Sequence, residues 1–413
     1  MKKIIEWMNE VVAPKTKKLT ENPWVTAVQE TMVSTMPVMV ISSFITILSI
    51  VKDFVPSFPD LSYLSQFTMG LSALMVAYLI PTIVLEKTEL PKYRRQAGFM
   101  GVSLLLAMSQ AGVNEKGQFV IDAQRIGASG MFVAIVAGLF VAFIMKLFSS
   151  RSMFSKNTRM PSFLVDRFDS MAPILLTALT AYFLCYLLKL DLYAIVNLLI
   201  SPLVNIAQSL FGFVFICFLM AFFYSFGMSP WFLTPVYYTV GMDAIAKNAA
   251  AVAAGEKATL ILSNETFGGW IWLGGTGCTL TLCVLLLLCR SEKLKGLGKT
   301  CIVPAIFNIN EPVVYGTIVF NPLLMIPMWI NPTLVAIITY LTMRAGLVDV
   351  PSSSFLLWYI PIPILTYLTN HDFRGVILVL ILLALTAAVW YPFLAAYDRQ
   401  CLAEEKKNAG RQD

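Results

Sequence analysis

One stretch of the sequence gathers groups able to do chemistry in an apolar setting. Pro304 to Gly316 is hydrophobic except where Asn308, Asn310, Glu311 and Pro312 interrupt it. An ionisable residue in such a run costs several kcal/mol unless it is paired or solvated, so Glu311 reads first as a pathway or binding residue. A carboxylate accepts hydrogen bonds from hydroxyl groups and, if its pKa is raised, can also take up a proton. Asn308 and Asn310 each offer donors and an acceptor to a polar ligand. A plainer reading stands beside this one: Glu311 caps a helix next to Pro312, and the asparagines satisfy broken backbone.

The elements that position these groups follow from composition. The 413 residues are 58% hydrophobic and 13% charged, which excludes a water-soluble enzyme of this size. The expectation is an all-α polytopic membrane protein. At ~20 residues per crossing there is room for about ten transmembrane helices. Apolar runs at 31–51, 67–85, 97–111, 127–148 and 170–189 read as regular spans. Of the 30 Lys and Arg residues, 22 fall in five segments, 1–30, 86–95, 146–168, 290–299 and 398–413. Cationic loops mark the cytoplasmic face, which places both termini inside and assigns the net charge of +6 to topology; no nucleic acid is expected as a partner. Met1 to Asn22 is polar and lysine-bearing and lacks the apolar core of a cleavable signal. The seven cysteines show neither metal spacing nor a disulfide framework, and Cys401 is expected in an exposed helical tail. No metal or cofactor is implied.

Beyond residue 195 the pattern breaks up. Helix-breaking clusters stand at Gly227-Met228-Ser229-Pro230, at Pro304 to Gly316, and in the Ser- and Pro-rich stretch from Pro351 to Pro363. Non-helical backbone survives at membrane depth only where protein buries it or a watery cavity borders it. The three breaks are therefore expected to surround a pathway, with half-helix ends offering N–H and C=O groups to a polar ligand.

Phe307-Asn308-Ile309-Asn310-Glu311-Pro312 resembles the signature of enzyme IIC, the membrane permease subunit of the bacterial phosphotransferase system, in its lactose/cellobiose (diacetylchitobiose) family. Glu265-Thr266-Phe267 and Leu273-Gly274-Gly275-Thr276-Gly277 look like that family's acidic-aromatic turn and glycine-rich helix start. Leu297-Gly298-Lys299, Trp358, Asp372-Phe373-Arg374-Gly375 and the run from Tyr391-Pro392-Phe393 to Tyr397-Asp398 extend the likeness, which is strong from about 210 to 405.

The resemblance implies a homodimer in the bacterial inner (cytoplasmic) membrane. A cytoplasmic amphipathic segment (1–30) precedes a dimer-interface domain (31–190), a mobile substrate-binding domain with two re-entrant hairpins (191–397) and a cytoplasmic tail (398–413). Such permeases carry a β-linked disaccharide inward and expose its primary hydroxyl to a phosphocysteine on a separate enzyme IIB. Glu311 is then the candidate for both catalysis and sugar contact, with Asn308 and Asn310 beside it. Trp358 is a candidate for stacking on a pyranose face, against its alternative as an interfacial anchor. Phe223 is a second aromatic candidate, with ordinary packing as its alternative. Asn264 and Glu265 lie near a hairpin tip, where gating, capping and plain solvation compete. The basic loops Glu86 to Arg95 and Arg290 to Lys299 can dock enzyme IIB or simply obey the charge rule.

One departure stands out. Where the family pattern reads Gly-Ile-His-Gly, this chain has Gly227-Met228-Ser229-Pro230. The imidazole near the reacting hydroxyl is missing, Met228 is read as its replacement, and Ser229 is left as a hydroxyl contact. The sole histidine, His371, is expected to be exposed and non-catalytic. Loss of a positioned acid or base costs roughly 10²- to 10⁴-fold, which raises an alternative: an uncoupled facilitator or secondary transporter on the same scaffold.

Overall fold

The computed structural model describes residues 22–54, 57, 59, 61–149, 162–228 and 230–409. They fall into two compact units that meet in sequence between Val204 and Asn205.

The first unit holds helices α1 (Pro23–Phe54), α2 (Ser72–Lys87), α3 (Arg94–Met108), α4 (Met131–Ser149), α5 (Ser162–Ala181) and most of α6 (Leu192–Gln208). Each of the five apolar runs read from the sequence lies on one of the first five helices, and α5 is prolonged by a wide π turn over Tyr182–Leu187. Helix α2 is central, packed against α1, α3 and α4. Lipid gives no hydrophobic drive for helices to associate, so close backbone approach matters more than bulk. Gly101 shows this: a Cβ there would stand 2.1 Å from the Ala77 carbonyl oxygen, so only glycine lets α3 lie against α2.

One departure from the all-α expectation is a small antiparallel ribbon in which Gly112–Val113 pairs with Phe119–Val120. The Asn114 carboxamide oxygen accepts the Lys116 and Gln118 N–H groups and closes the turn. This is local turn chemistry in an exposed connection, which a hydropathy pattern does not register.

The second unit holds α7 (Leu210–Ser225), α8 (Thr234–Ala253), α9 (Leu280–Leu287), α10 (Glu292–Ile306), α11 (Pro322–Arg344), α12 (Ile362–Asn370) and α13 (Phe373–Ala409). Helix α11 packs on α7 and α13, and α9 packs on α10 and α13. Their core contains Leu282, Leu286, Met328 and Trp390, whose indole N–H donates to the Cys278 carbonyl oxygen at 3.0 Å. Cys401, expected in an exposed tail, is buried instead. The last helix runs through it and docks on the turn before α10, where Asp398 accepts the Arg290 and Ser291 N–H groups and Glu405 accepts the Ser291 hydroxyl and the Lys293 N–H.

Among the described residues five helices are long and apolar enough to cross a bilayer, or six if α6 and α7 are one broken span. Three of the five lie in the first unit and two, α11 and α13, in the second, where Pro, Gly and Asn cut apolar chain into short helices and wide turns. Two such breaks have the same plan. A short helical turn starts at an Asn-Glu pair, Asn264–Thr266 in one and Glu311–Val313 after Asn310 in the other, and a π turn follows, Phe267–Ile271 and Val314–Ile318.

In the first unit Arg125 forks onto Asp191 with N to O distances of 3.1 and 2.9 Å, and its guanidinium lies 4.7 Å from the Tyr193 ring centre. Partial burial pushes the Asp191 carboxyl up, but Arg125 and the Ala194 N–H outweigh it and hold the pKa below the ordinary carboxylate value. A depressed carboxylate stabilises the fold above its unfolded-state pKa, and that stabilisation is lost as pH falls through its folded-state pKa. Asp191→Asn is therefore expected to lower the unfolding midpoint at neutral pH by the equivalent of about 1 kcal/mol. The gap to wild type should narrow as the pH of thermal melts in detergent approaches about 3; a gap independent of pH would show that the ion pair is not its source.

Candidate functional site

The site is built where the chain leaves α10. Pro304 lies in the last turn of that helix, and Asn308 follows in the left-handed region at φ 61°. Asparagine is among the few side chains that enter this region readily. The amide then bridges two other segments: its oxygen accepts the Gly274 N–H at 3.0 Å, and its nitrogen donates to the carbonyl oxygens of Trp358 and Ile360. Asn310 makes a second bridge. Its nitrogen donates to the Thr276 carbonyl oxygen at 2.8 Å and to the Thr279 hydroxyl at 3.0 Å, while its oxygen accepts the Tyr224 hydroxyl at 3.4 Å.

Gly275 is the counterpart of that bridge. It adopts φ 94°, and a Cβ there would lie 2.5 Å from the Asn310 amide carbon. The glycine-rich run is needed here for two reasons, the backbone angle and the room taken by a buried amide. Thr279 donates its own hydroxyl to the Gly274 carbonyl oxygen at 2.6 Å, which closes the turn on itself.

These contacts frame a small cavity of about 40 Å³. Glu311, Asn308, Asn310 and Trp358 line it together with Met220, Tyr224, Pro230, Tyr237, Trp272, Gly275 and Thr276. The three polar residues of the interrupted run are thus brought together, but they differ in what remains available. Both asparagines are buried and committed to the protein. Glu311 is exposed at the first turn after Asn310, and although its carbonyl oxygen accepts the Val314 N–H, neither a hydrogen bond nor an ion pair ties its carboxylate to another described residue. Its carboxylate is the polar group left for a ligand.

Other sequence candidates are placed elsewhere. Phe223 turns toward Phe222 and packs on the core, while Met220 and Tyr224 of the same helix face the cavity. Met228 is half-buried against the core, its N–H donating to the Phe223 carbonyl oxygen at 3.2 Å. Ser229 lies outside the described residues. Counted residue by residue from Gly227, it is Ser229 and not Met228 that falls at the family's histidine. His371 caps α12 at φ 54° beside the Tyr367 ring and is not among the residues lining the cavity. Asn264 and Glu265 are buried, which removes plain solvation as their explanation. Asn264 donates to the Tyr238 carbonyl oxygen, Glu265 accepts the Phe355 N–H, and the Ser263 hydroxyl caps their turn.

Tyr224, Tyr237, Trp272 and Met220 were missed by sequence reasoning. Trp272 alone carried a signal, since it stands one residue before the glycine-rich run.

The profile of the family described as "Phosphotransferase system, EIIC" matches residues 29–332. The chain belongs to this family. It is an EIIC permease component and hence a multi-pass membrane protein. It is 28% identical to the lichenan permease IIC component of Bacillus subtilis (strain 168), with 98% of this chain and 96% of that one covered. It is 26% identical to the lactose-specific EIICB component of Lacticaseibacillus casei, covering 97% of this chain and 72% of that protein. The crystal structure of the transporter ChbC, the IIC component of the N,N'-diacetylchitobiose-specific phosphotransferase system, matches at a TM-score of 0.87 with 27% identity, over 97% of this chain and 99% of that one. These EIIC likenesses run through both units, and nothing in them supports the uncoupled facilitator raised by the missing imidazole.

The Asn310 bridge predicts the effect of filling its seat. Gly275→Ala should cost about 1–3 kcal/mol from backbone strain alone, and more because the new methyl group meets the Asn310 amide. Gly255→Ala is the control, since Gly255 has φ 81° with nothing within 4 Å of an added Cβ. Thermal melts of the two variants should separate, with Gly275→Ala the lower; equal midpoints would mean that Asn310 is not held at this contact.

Proposed function

We propose that this EIIC component binds a β-linked disaccharide or closely related β-glycoside in the cavity at Glu311 and moves it inward, coupled to its phosphorylation. The observation that carries the reading is the free, exposed carboxylate of Glu311 in a cavity whose asparagines are already spent on the frame. The sugars in those relatives' names, lichenan, lactose and diacetylchitobiose, support the sugar class.

A carboxylate accepts hydrogen bonds from sugar hydroxyls, and the broad faces of Trp358 and Trp272 suit the apolar side of a pyranose. In the transfer step a sugar hydroxyl oxygen attacks phosphorus, the phosphorus–sulfur bond to the donor cysteine breaks, and sulfur leaves as thiolate. The hydroxyl proton passes to Glu311, which is the general base in this scheme. The donor is the phosphocysteine of an enzyme IIB partner, a reading supported by the EIICB relative.

The remaining architecture belongs to the same proposal. The first unit forms the homodimer interface, the second carries the sugar, and about ten crossings with two re-entrant hairpins place both termini in the cytoplasm. The clustered cations on connections and ends support that orientation. The exposed Arg290, Lys293 and Lys299 belong to the docking face for enzyme IIB.

Proteoliposomes containing the purified chain, phosphorylated enzyme IIB and labelled cellobiose, diacetylchitobiose or lactose test the scheme. Sugar phosphate should accumulate inside, and Glu311→Gln should reduce it by roughly 10² to 10⁴. Ser229→His should raise the rate if a positioned imidazole still fits. Free sugar entering through the wild-type protein with no phosphate product would overturn the coupled reading; the absence of any uptake would overturn the sugar class.

A further inference from the structure

Between α11 and α12 the chain runs from Asp349 to Pro361 without a helix or strand, yet Phe355, Leu356 and Leu357 are buried. Its polar backbone groups are met by side chains from other parts of the second unit. Asp372 accepts the Asp349 N–H and Asn370 donates to the Asp349 carbonyl oxygen. Asn248 of α8 donates to the Pro351 carbonyl oxygen at 2.8 Å, and Asn308 donates to those of Trp358 and Ile360. Glu265 completes the set: its Oε1 accepts the Phe355 N–H at 3.1 Å.

Glu265 is the costly member of this group. It is 1% exposed, and among the described residues no Lys or Arg pairs with it. A buried carboxylate without a counter-ion is among the more expensive side chains a protein can hold. Its location gives it a use. Glu265 lies seven residues before Trp272, and the N–H it accepts lies three residues before Trp358; both tryptophans line the cavity. Asn308 makes a parallel tie between the same two segments, from Gly274 to Trp358. Two side-chain ties thus join the segments that carry the indoles, and an aromatic pair accepts a flat ring only at the right separation.

We propose that Glu265 is a positioning residue for substrate binding, holding the Asp349–Pro361 segment through the Phe355 N–H so that Trp358 and Trp272 keep the spacing that accepts a sugar ring. The sugar itself rests on the function proposed above; the tie does not. Glu265→Gln keeps an acceptor oxygen, whereas Glu265→Met keeps the length of the side chain without one. In hydrogen exchange of the full-length protein in detergent, without sugar, the 349–361 amides should exchange at least ten times faster in Glu265→Met than in wild type, and at the wild-type rate in Glu265→Gln. Cellobiose affinity by calorimetry should fall about tenfold in Glu265→Met and little in Glu265→Gln. Glu265→Met combined with Trp358→Ala should bind no worse than Trp358→Ala alone, because the effect passes through the indole.

Unchanged exchange in Glu265→Met, equal damage from both substitutions, or additive losses in the double variant would each overturn the proposal. If wild type binds none of the sugars while exchange follows the expected pattern, the sugar class fails and the positioning role stands. Should Glu265→Met not yield monodisperse protein, wild type alone decides: slow exchange at Phe355 supports the tie, and exchange as fast as in an unstructured chain overturns it.

Discussion

Backbone that leaves a helix at membrane depth finds no water, so every freed N–H and C=O must be met by protein. The site is an answer to that constraint. Asn308 and Asn310 stand at a break in an apolar run, and their amides take up exposed backbone from two other segments. A primary amide suits this work because it donates and accepts at once and carries no charge to desolvate. With the break satisfied in this way, Glu311 is relieved of structural duty and faces the cavity.

The paired Asn-Glu turns show how one local plan serves two ends. Asn264-Glu265 and Asn310-Glu311 each open a short helical turn followed by a π turn. In both, the asparagine is buried and bonded to backbone of another element. The glutamates part company: one is buried on the Phe355 N–H, the other is exposed in the cavity. The Asn-Glu pair is the same, but Asn264 is the first residue of its turn and Asn310 the cap before its own. Burial then separates a group that shapes the wall from a group that can meet a ligand.

The same distinction explains what was legible in the sequence. Apolar length reported the helices of the first unit, and Pro, Gly and Asn reported the breaks of the second, because both signals act within a few residues of chain. Glu311 was legible for a similar reason: a charge in an apolar run is anomalous wherever the run folds. The role of each asparagine was not, since the backbone it bonds lies 34 to 52 positions away. Phe223 and Tyr224 differ by one position, and one position turns a helix face by about 100°; nothing local says which of the two aromatics faces the cavity. Cys401 was misjudged because Asp398 and Glu405, which dock the last helix, find their partners more than 100 residues earlier.

Helix α10 joins a basic turn to the cavity wall within the second unit. Its first turn carries exposed Lys293 and is tied to α13 through Asp398 and Glu405. Its last turn passes directly into Asn308, which is tied to Gly274 and Trp358. Fifteen residues of helix make a rod of about 22 Å, with side-chain bonds at both ends in place of slack loops. Glu311 is therefore not carried on a free segment. Its position is set from one side by the basic turn and from the other by the segments that bear the two tryptophans, so the cavity wall and the charged surface share one mechanical element.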